Sequence, residues 1–260
     1  MKKTVFILLF IILCSQAFSQ LSRKVLIEEF TETGCGACFV SDSSFQALTT
    51  SYADKIAVIN YHCYYMLDTF YQYNKACDSR YSFYQLNGYP SGTANGKTPV
   101  NTSSHLSLIT GSLIQSFYNQ PPQFNFNISC KPIGKSGTHS TEISLKAISL
   151  TQNVDTNLHM FIAVTENNIN HQERYHTKAV NGVNEFNHIL RALLPDNDGR
   201  AIGAQKPGTE NTLKVIFNND DREVKFNNVR LVVFIQNMLT REILATEVTT
   251  DHPFQSLKKF

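Results

Sequence analysis

No stretch of the 260-residue chain concentrates lysine or arginine, and beyond the first twenty residues no apolar run is long enough to cross a bilayer. The first absence excludes nucleic acid binding, which needs a concentrated basic surface to release counterions. The second excludes a membrane-spanning helix in the body of the chain. There is no internal repeat and no low-complexity segment. A four-cysteine zinc site would need a second Cys-x-x-Cys, which the sequence lacks, so no metal is expected and no cofactor is called for.

What is present begins with a leader. Residues 1–19 carry Lys2 and Lys3, an apolar stretch from Val5 to Cys14, and Ala17-Phe18-Ser19 before Gln20, the three parts of a secretory signal. Leu13 is too bulky for the position before a lipoprotein cysteine, so cleavage is expected after Ser19. Removing Lys2 and Lys3 from the 23 basic residues balances them against the 21 acidic ones, and removing Cys14 from the six cysteines leaves five. The exported chain is formally neutral and enters a compartment where disulfides persist.

From Val25 to about Tyr118, strand-like and helix-like segments alternate. Val25 to Phe30 and Lys55 to Tyr61 read as strands, Val40 to Tyr52 and Leu106 to Phe117 as helices, which together imply a parallel sheet with crossovers. Pro121-Pro122 ends that pattern. Beyond it come short alternating runs: Phe124 to Ile128, Ile143 to Ala147, Leu158 to Val164, Leu213 to Phe217, Val229 to Ile235 and Ile243 to Val248. Strands so spaced, between Asn, Asp, Gly and Pro clusters, predict an antiparallel β-sandwich of about seven strands. The expected organisation is a signal peptide at 1–19, an α/β domain at 20–119, a linker at 120–122, an all-β domain at 123–254 and a tail at 255–260.

The chemistry concentrates at Cys35-Gly36-Ala37-Cys38, between the first strand and the first helix. There the helix N-terminus can lower the pKa of one thiol while the other closes a small disulfide, so the pair is either a staple or a redox centre. His62 and Cys63 follow the second strand, at the carboxyl edge where sites collect in parallel sheets. If the two strands are neighbours, His62 can approach the thiols; otherwise it is a strand-end residue. Cys63 and Cys77 flank an aromatic segment and form a second disulfide or remain two free thiols, while Cys130 is left as a buried thiol. Eight of the 11 tyrosines fall between Tyr61 and Tyr89, as a partner platform or as the packing face of an inserted helix. His171 and His176, five apart in a loop, read as solvated.

The strand, the Cys-x-x-Cys turn and the following helix resemble the active-site unit of the thioredoxin superfamily. Tyr84-Gln85-Leu86-Asn87-Gly88-Tyr89-Pro90-Ser91 is similar to that family's second signature. The resemblance covers about residues 24–119 and implies a cis Tyr89-Pro90 bond facing the disulfide, a geometry found at only about 5% of X-Pro bonds. It also implies that Glu29, six residues before Cys35, is a buried acid that moves a proton to the inner thiol, and that Cys35, Cys38 and Pro90 carry thiol-disulfide exchange. Gly34 replaces the family's usual tryptophan and Gly36-Ala37 its Gly-Pro, which leaves the redox potential open.

Over nearly the whole exported chain, Phe30 to Cys38, Ala163-Val164-Thr165-Glu166-Asn167 and Asn187-His188-Ile189-Leu190-Arg191 resemble an outer-membrane protein family named after a twenty-eight-kilodalton antigen of Gram-negative envelopes. That resemblance implies an immunoglobulin-like second domain and a place in the periplasm or peripherally at the outer membrane. The expected function is a thiol-disulfide oxidoreductase acting on protein thiols or disulfides of the envelope. Its rival is a non-enzymatic envelope binding protein with a structural Cys35–Cys38 bridge.

Overall fold

A computed structural model describes residues 23–63, 68–71, 76–97, 105–133, 140–219, 224–249 and 253; the expected signal peptide and the 255–260 tail lie outside them. Strand β1 (Val25–Thr31) runs parallel to β2 (Ile56–His62) through seven residue pairs, from Val25↔Ile56 to Thr31↔His62, and antiparallel to the short β3 (Ser91–Ala94). All seven residues of β1 are buried because both faces of the sheet are covered, which is why that segment reads as a near-continuous apolar run. Helices α1 (Gly36–Ser51) and α3 (Gly111–Tyr118) lie on one face, where Phe45 and Ile114 pack with Val25, Ile27 and Val58. Helix α2 (Ala76–Tyr84) lies on the other, where Tyr84 packs with Leu26, Phe30 and Ile59.

The helix expected over Leu106 to Phe117 is two elements, a 3₁₀ turn at His105–Leu108 and α3. Thr110 causes the break. Its backbone is extended and its Oγ1 accepts the Leu113 N–H, so it caps α3 and ends what precedes it.

The six alternating runs of the second half form strands, and Ile189–Leu194, which the sequence did not mark as one, is a seventh. These are β4 (Phe124–Ile133), β5 (Ser140–Ser149), β6 (Leu158–Glu166), β9 (Ile189–Leu194), β11 (Glu210–Asn218), β12 (Val229–Asn237) and β13 (Ile243–Val248). Between them lie the short β7 (Ile169–Asn170), β8 (Glu185–Phe186) and β10 (Arg200–Ala201), and the one-turn helix α4 (His171–Tyr175). The antiparallel sheet β11-β5-β4 packs Leu145, Leu213 and Phe124 against Ile162, Val164, Leu231 and Val233 of β6 and β12.

Strands β6 and β12 belong to a larger mixed sheet, of order β13-β12-β6-β9-β2-β1-β3, with β10 on β6. One sheet thus runs through both halves of the chain, joined at the parallel pair Asn60↔Ile189. The halves are tied elsewhere too. The buried Arg23 guanidinium donates to the carbonyls of Ile243 and Leu244, each at 3.3 Å. In the Asn95-Gly96 turn a Cβ on Gly96 would come within 1.7 Å of the Arg241 carbonyl, so only glycine permits that approach.

Candidate functional site

Cys35 is the N-cap of α1. Its backbone is extended and its sulfur accepts the Cys38 N–H at 3.0 Å, so the helix begins on the Cys-x-x-Cys itself. Cys35 and Cys38 are joined as a disulfide with Cα atoms 5.2 Å apart. Cys38 is fully buried, Cys35 is partly exposed, and Gly36 and Ala37 between them are open to solvent. A helix N-terminus favours negative charge, so the reduced Cys35 sulfur sits where a thiolate is stabilised.

The loop after α2 closes over this turn. Tyr89-Pro90 is a cis peptide, and the Tyr89 carbonyl lies 4.0 Å from the Cys35 sulfur. Tyr81 holds the loop: its ring is 5.1 Å from that of Tyr89, and its hydroxyl bonds the Gly88 N–H. Burial, then the neighbouring Tyr81 and Asp78, push the Tyr89 hydroxyl far above its ordinary pKa, keeping it neutral. Of the tyrosine cluster, Tyr64, Tyr65 and Tyr73 lie outside the described residues. Tyr61, Tyr81 and Tyr84 pack inward around Phe30.

Glu29 is buried, at 2% exposure, in β1 between Asn60 of β2 and Gly92 of β3. His62 is also 2% exposed, not a free strand end. Its Nδ1 lies 2.8 Å from Asp68, and its ring meets Phe70 and Phe186 edge-on. Asp68 in turn accepts the Thr33 N–H at 2.6 Å, so His62 reaches the Cys-x-x-Cys turn through a carboxylate. Burial works against the Asp68 charge, but His62 and the N–H groups of Thr33 and Phe70 overcome it and hold the carboxyl below its ordinary range.

Glu32, which the sequence did not single out, is 1% exposed and accepts the Gly34 N–H at 3.3 Å. Burial, aided by Asp68, raises its carboxyl against the pull of that N–H and of His62.

Cys63 at the end of β2 and Cys77 in α2 are joined as a second, fully buried disulfide, Cα atoms 5.3 Å apart. Beside it, Arg80 donates to Glu28 at 2.6 Å and to Gln236 of β12 at 2.7 Å, and the hydroxyls of Tyr61 and Tyr84 also donate to Glu28. Cys130 is partly exposed rather than buried, because β4 is an edge strand; partial burial still pushes its thiol up to about 11. His171 corrects its expectation as well. It is 1% exposed, with its ring nitrogens on Thr69 and the Thr177 carbonyl.

A cavity of about 580 Å³ opens beside α1, lined by Glu29, Phe39, Phe45, Asn60, His62 and His188 among others. His188 belongs to a segment the sequence marked, though not as a site residue. Burial, and then Arg230, lower its imidazole to about 4, so the ring is neutral.

Residues 77–250 match the family described as outer membrane protein Omp28. Among solved structures the chain is similar to HBP35 of Porphyromonas gingivalis, at 15% identity and TM-score 0.68, over 88% of this chain and 75% of that one. It is also similar to a protein from Agrobacterium tumefaciens, at 16% identity and TM-score 0.53, over 88% and 95%. At these identities the likeness shows the fold alone. No curated protein matches the chain. The matched family segment starts at Cys77 and so does not include Cys35 and Cys38.

Proposed function

The chain belongs to the outer membrane protein Omp28 family, and from that premise we propose that it is an exported thiol-disulfide oxidoreductase of the cell envelope. Its architecture is read as a thioredoxin-like domain followed by an immunoglobulin-like sandwich sharing one sheet. One observation carries the reading: a partly exposed Cys35 at a helix N-terminus, bonded to a buried Cys38 and 4.0 Å from the carbonyl before a cis proline.

In the reducing direction the Cys35 thiolate attacks a partner disulfide, forming a mixed disulfide and expelling the partner's first sulfur as thiolate, which takes a proton from solvent. Cys38, losing its proton to a base, then attacks the Cys35 sulfur and expels the second partner sulfur. Two electrons pass to the partner and the Cys35–Cys38 bond is restored; the opposite direction reverses each step. Glu29 is assigned as the base for Cys38, and Pro90 holds the partner's backbone beside Cys35.

The test is insulin reduction by the exported chain, with thiol titration. The wild type turns over, Cys35→Ser is inactive, and Glu29→Gln slows release of the mixed disulfide about tenfold at neutral pH. A folded chain whose Cys35–Cys38 bridge resists dithiothreitol would instead establish the rival, an envelope binding protein with a structural staple. Exchange kinetics unchanged in Glu29→Gln would remove Glu29 from the mechanism and leave the cysteines in place.

A further inference from the structure

Among the described residues, strand β2 is paired along its whole length on one side and almost not at all on the other. Its seven residues all pair with β1, whereas β9 meets it only at Asn60↔Ile189. The gap has a local cause: the chain entering β9 bends at His188 (φ +60°), a left-handed turn that takes it away from the lower half of β2.

The cavity fills that gap. Ile56, Ala57 and Val58 all line it. A cavity over a sheet face touches alternate residues, whereas one beside a strand edge touches consecutive ones.

The edge presents backbone groups to the cavity. Asn60 donates its N–H to the His188 carbonyl at 2.8 Å, on the β9 side, and the two-residue repeat turns the peptide groups of Ile56 and Val58 the same way. The Ile56 N–H is taken by the Tyr52 carbonyl at 3.1 Å. Among the described residues nothing pairs with the Val58 N–H and C=O or the Ile56 C=O on that side. Both residues are about 95% buried, and backbone polar groups so placed need a partner.

We propose that the free edge of β2 is a docking slot for an extended polypeptide segment of a partner protein, added as a strand between β2 and the wall made by Val232 and Val248. An extended chain is the ligand that offers N–H and C=O groups at strand spacing to meet this edge. Its side chains would point alternately toward Phe45 of α1 and toward Val232 and Val248, which are cross-strand partners in β12 and β13. Among the described lining residues Arg230 is the only lysine or arginine. The segment that fits therefore alternates apolar residues and places a carboxylate at Arg230. The slot shares Glu29 with the proposed thiol chemistry, but its strand edge is a different surface and stands whether or not Cys35 turns over.

The test uses the full exported chain and a fluorescein-labelled eight-residue peptide alternating valine with threonine and carrying one glutamate, read by fluorescence anisotropy. The control peptide has the same length and charge with two prolines, which cannot add as a strand. Wild type and Cys35→Ser should bind the first peptide and not the second. Val58→Pro removes the cavity-facing N–H without touching the ladder to β1, and should weaken binding at least about tenfold while Val58→Ala retains it.

Should Val58→Pro fail to fold, Val248→Arg, at a partly exposed position, blocks the opposite wall and should abolish binding. Absence of binding to the wild type, equal binding of the proline peptide, or indifference to both variants would overturn the proposal. So would concentration-dependent dimerisation that Val248→Arg abolishes in place of peptide binding, since the edge would then belong to a second copy.

Discussion

Glu28 and Glu29 are consecutive residues of β1, both buried, and they face opposite sides of the same sheet. On the Glu28 side the interior is closed. Arg80, Tyr61 and Tyr84 all bond that carboxylate, Gln236 bonds Arg80 in turn, and the Cys63–Cys77 bridge pins α2 over the cluster. The Glu29 side holds the 580 Å³ cavity, the neutral His188 and the His62–Asp68 pair that reaches the Cys35 turn. Burial of a charge is therefore not by itself a sign of function here. A buried acid whose partners are satisfied from several elements at once is architecture, while one beside accessible space is the candidate for chemistry that the proposed exchange assigns to Glu29.

Breaking the closed side should cost stability and leave the chemistry alone. Arg80→Met strands the Glu28 charge in the core and should destabilise the fold by about 3–5 kcal/mol in urea unfolding. Adding Glu28→Gln should return most of that loss, because the uncompensated charge, not the missing packing, dominates it. Next in size, replacing Cys63 and Cys77 together by alanine should cost about 3 kcal/mol, the loop-closure value for a loop of about 15 residues. Exchange at Cys35 should persist in that double variant. If exchange vanished while the urea midpoint stayed fixed, the functional and structural sides would have to be interchanged.

The contrast was only half legible in the sequence. Alternation and flanking turns are local signals, so β1, β2, α1 and six strands of the second half could be read from periodicity, whereas β9, without alternation, could not. The pairing Asn60↔Ile189, which joins the halves into one sheet, spans 129 residues and leaves no periodic trace. For the same reason Glu29 could be singled out by its spacing from Cys35, while Glu28 could not: its meaning rests on Arg80, 52 residues on, and on Gln236 in β12. His171 misled because its loop is polar in sequence but folds back onto Thr69 and Phe70. The helix expected at Leu106 shows the limit of periodicity, since one hydrogen bond accepted by the Thr110 side chain overrode a regular apolar repeat.

The smallest expected effect belongs to the open side and is visible only as a function of pH. Burial first, and then the charge on Arg230, hold His188 at about 4, against an ordinary 6.5. The unfolded chain therefore takes up a proton as pH falls through 6.5, while the folded chain resists until about 4. The stabilisation from the neutral ring is complete above 6.5, is lost progressively between 6.5 and 4, and changes no further below that. With the ring partly exposed, the loss across this window is about 1–3 kcal/mol.

Glu32, whose carboxyl is raised, works with opposite sign in the same window, so the comparison must be between single-site variants. Urea midpoints at pH 7, 5.5 and 4 should fall less steeply for His188→Gln than for the wild type. Arg230→Gln should raise the His188 titration seen by NMR. Arg80, held charged far above neutrality, adds no slope between pH 4 and 6.5. A wild-type slope there that survives His188→Gln unchanged would therefore point to groups other than His188 on the open side.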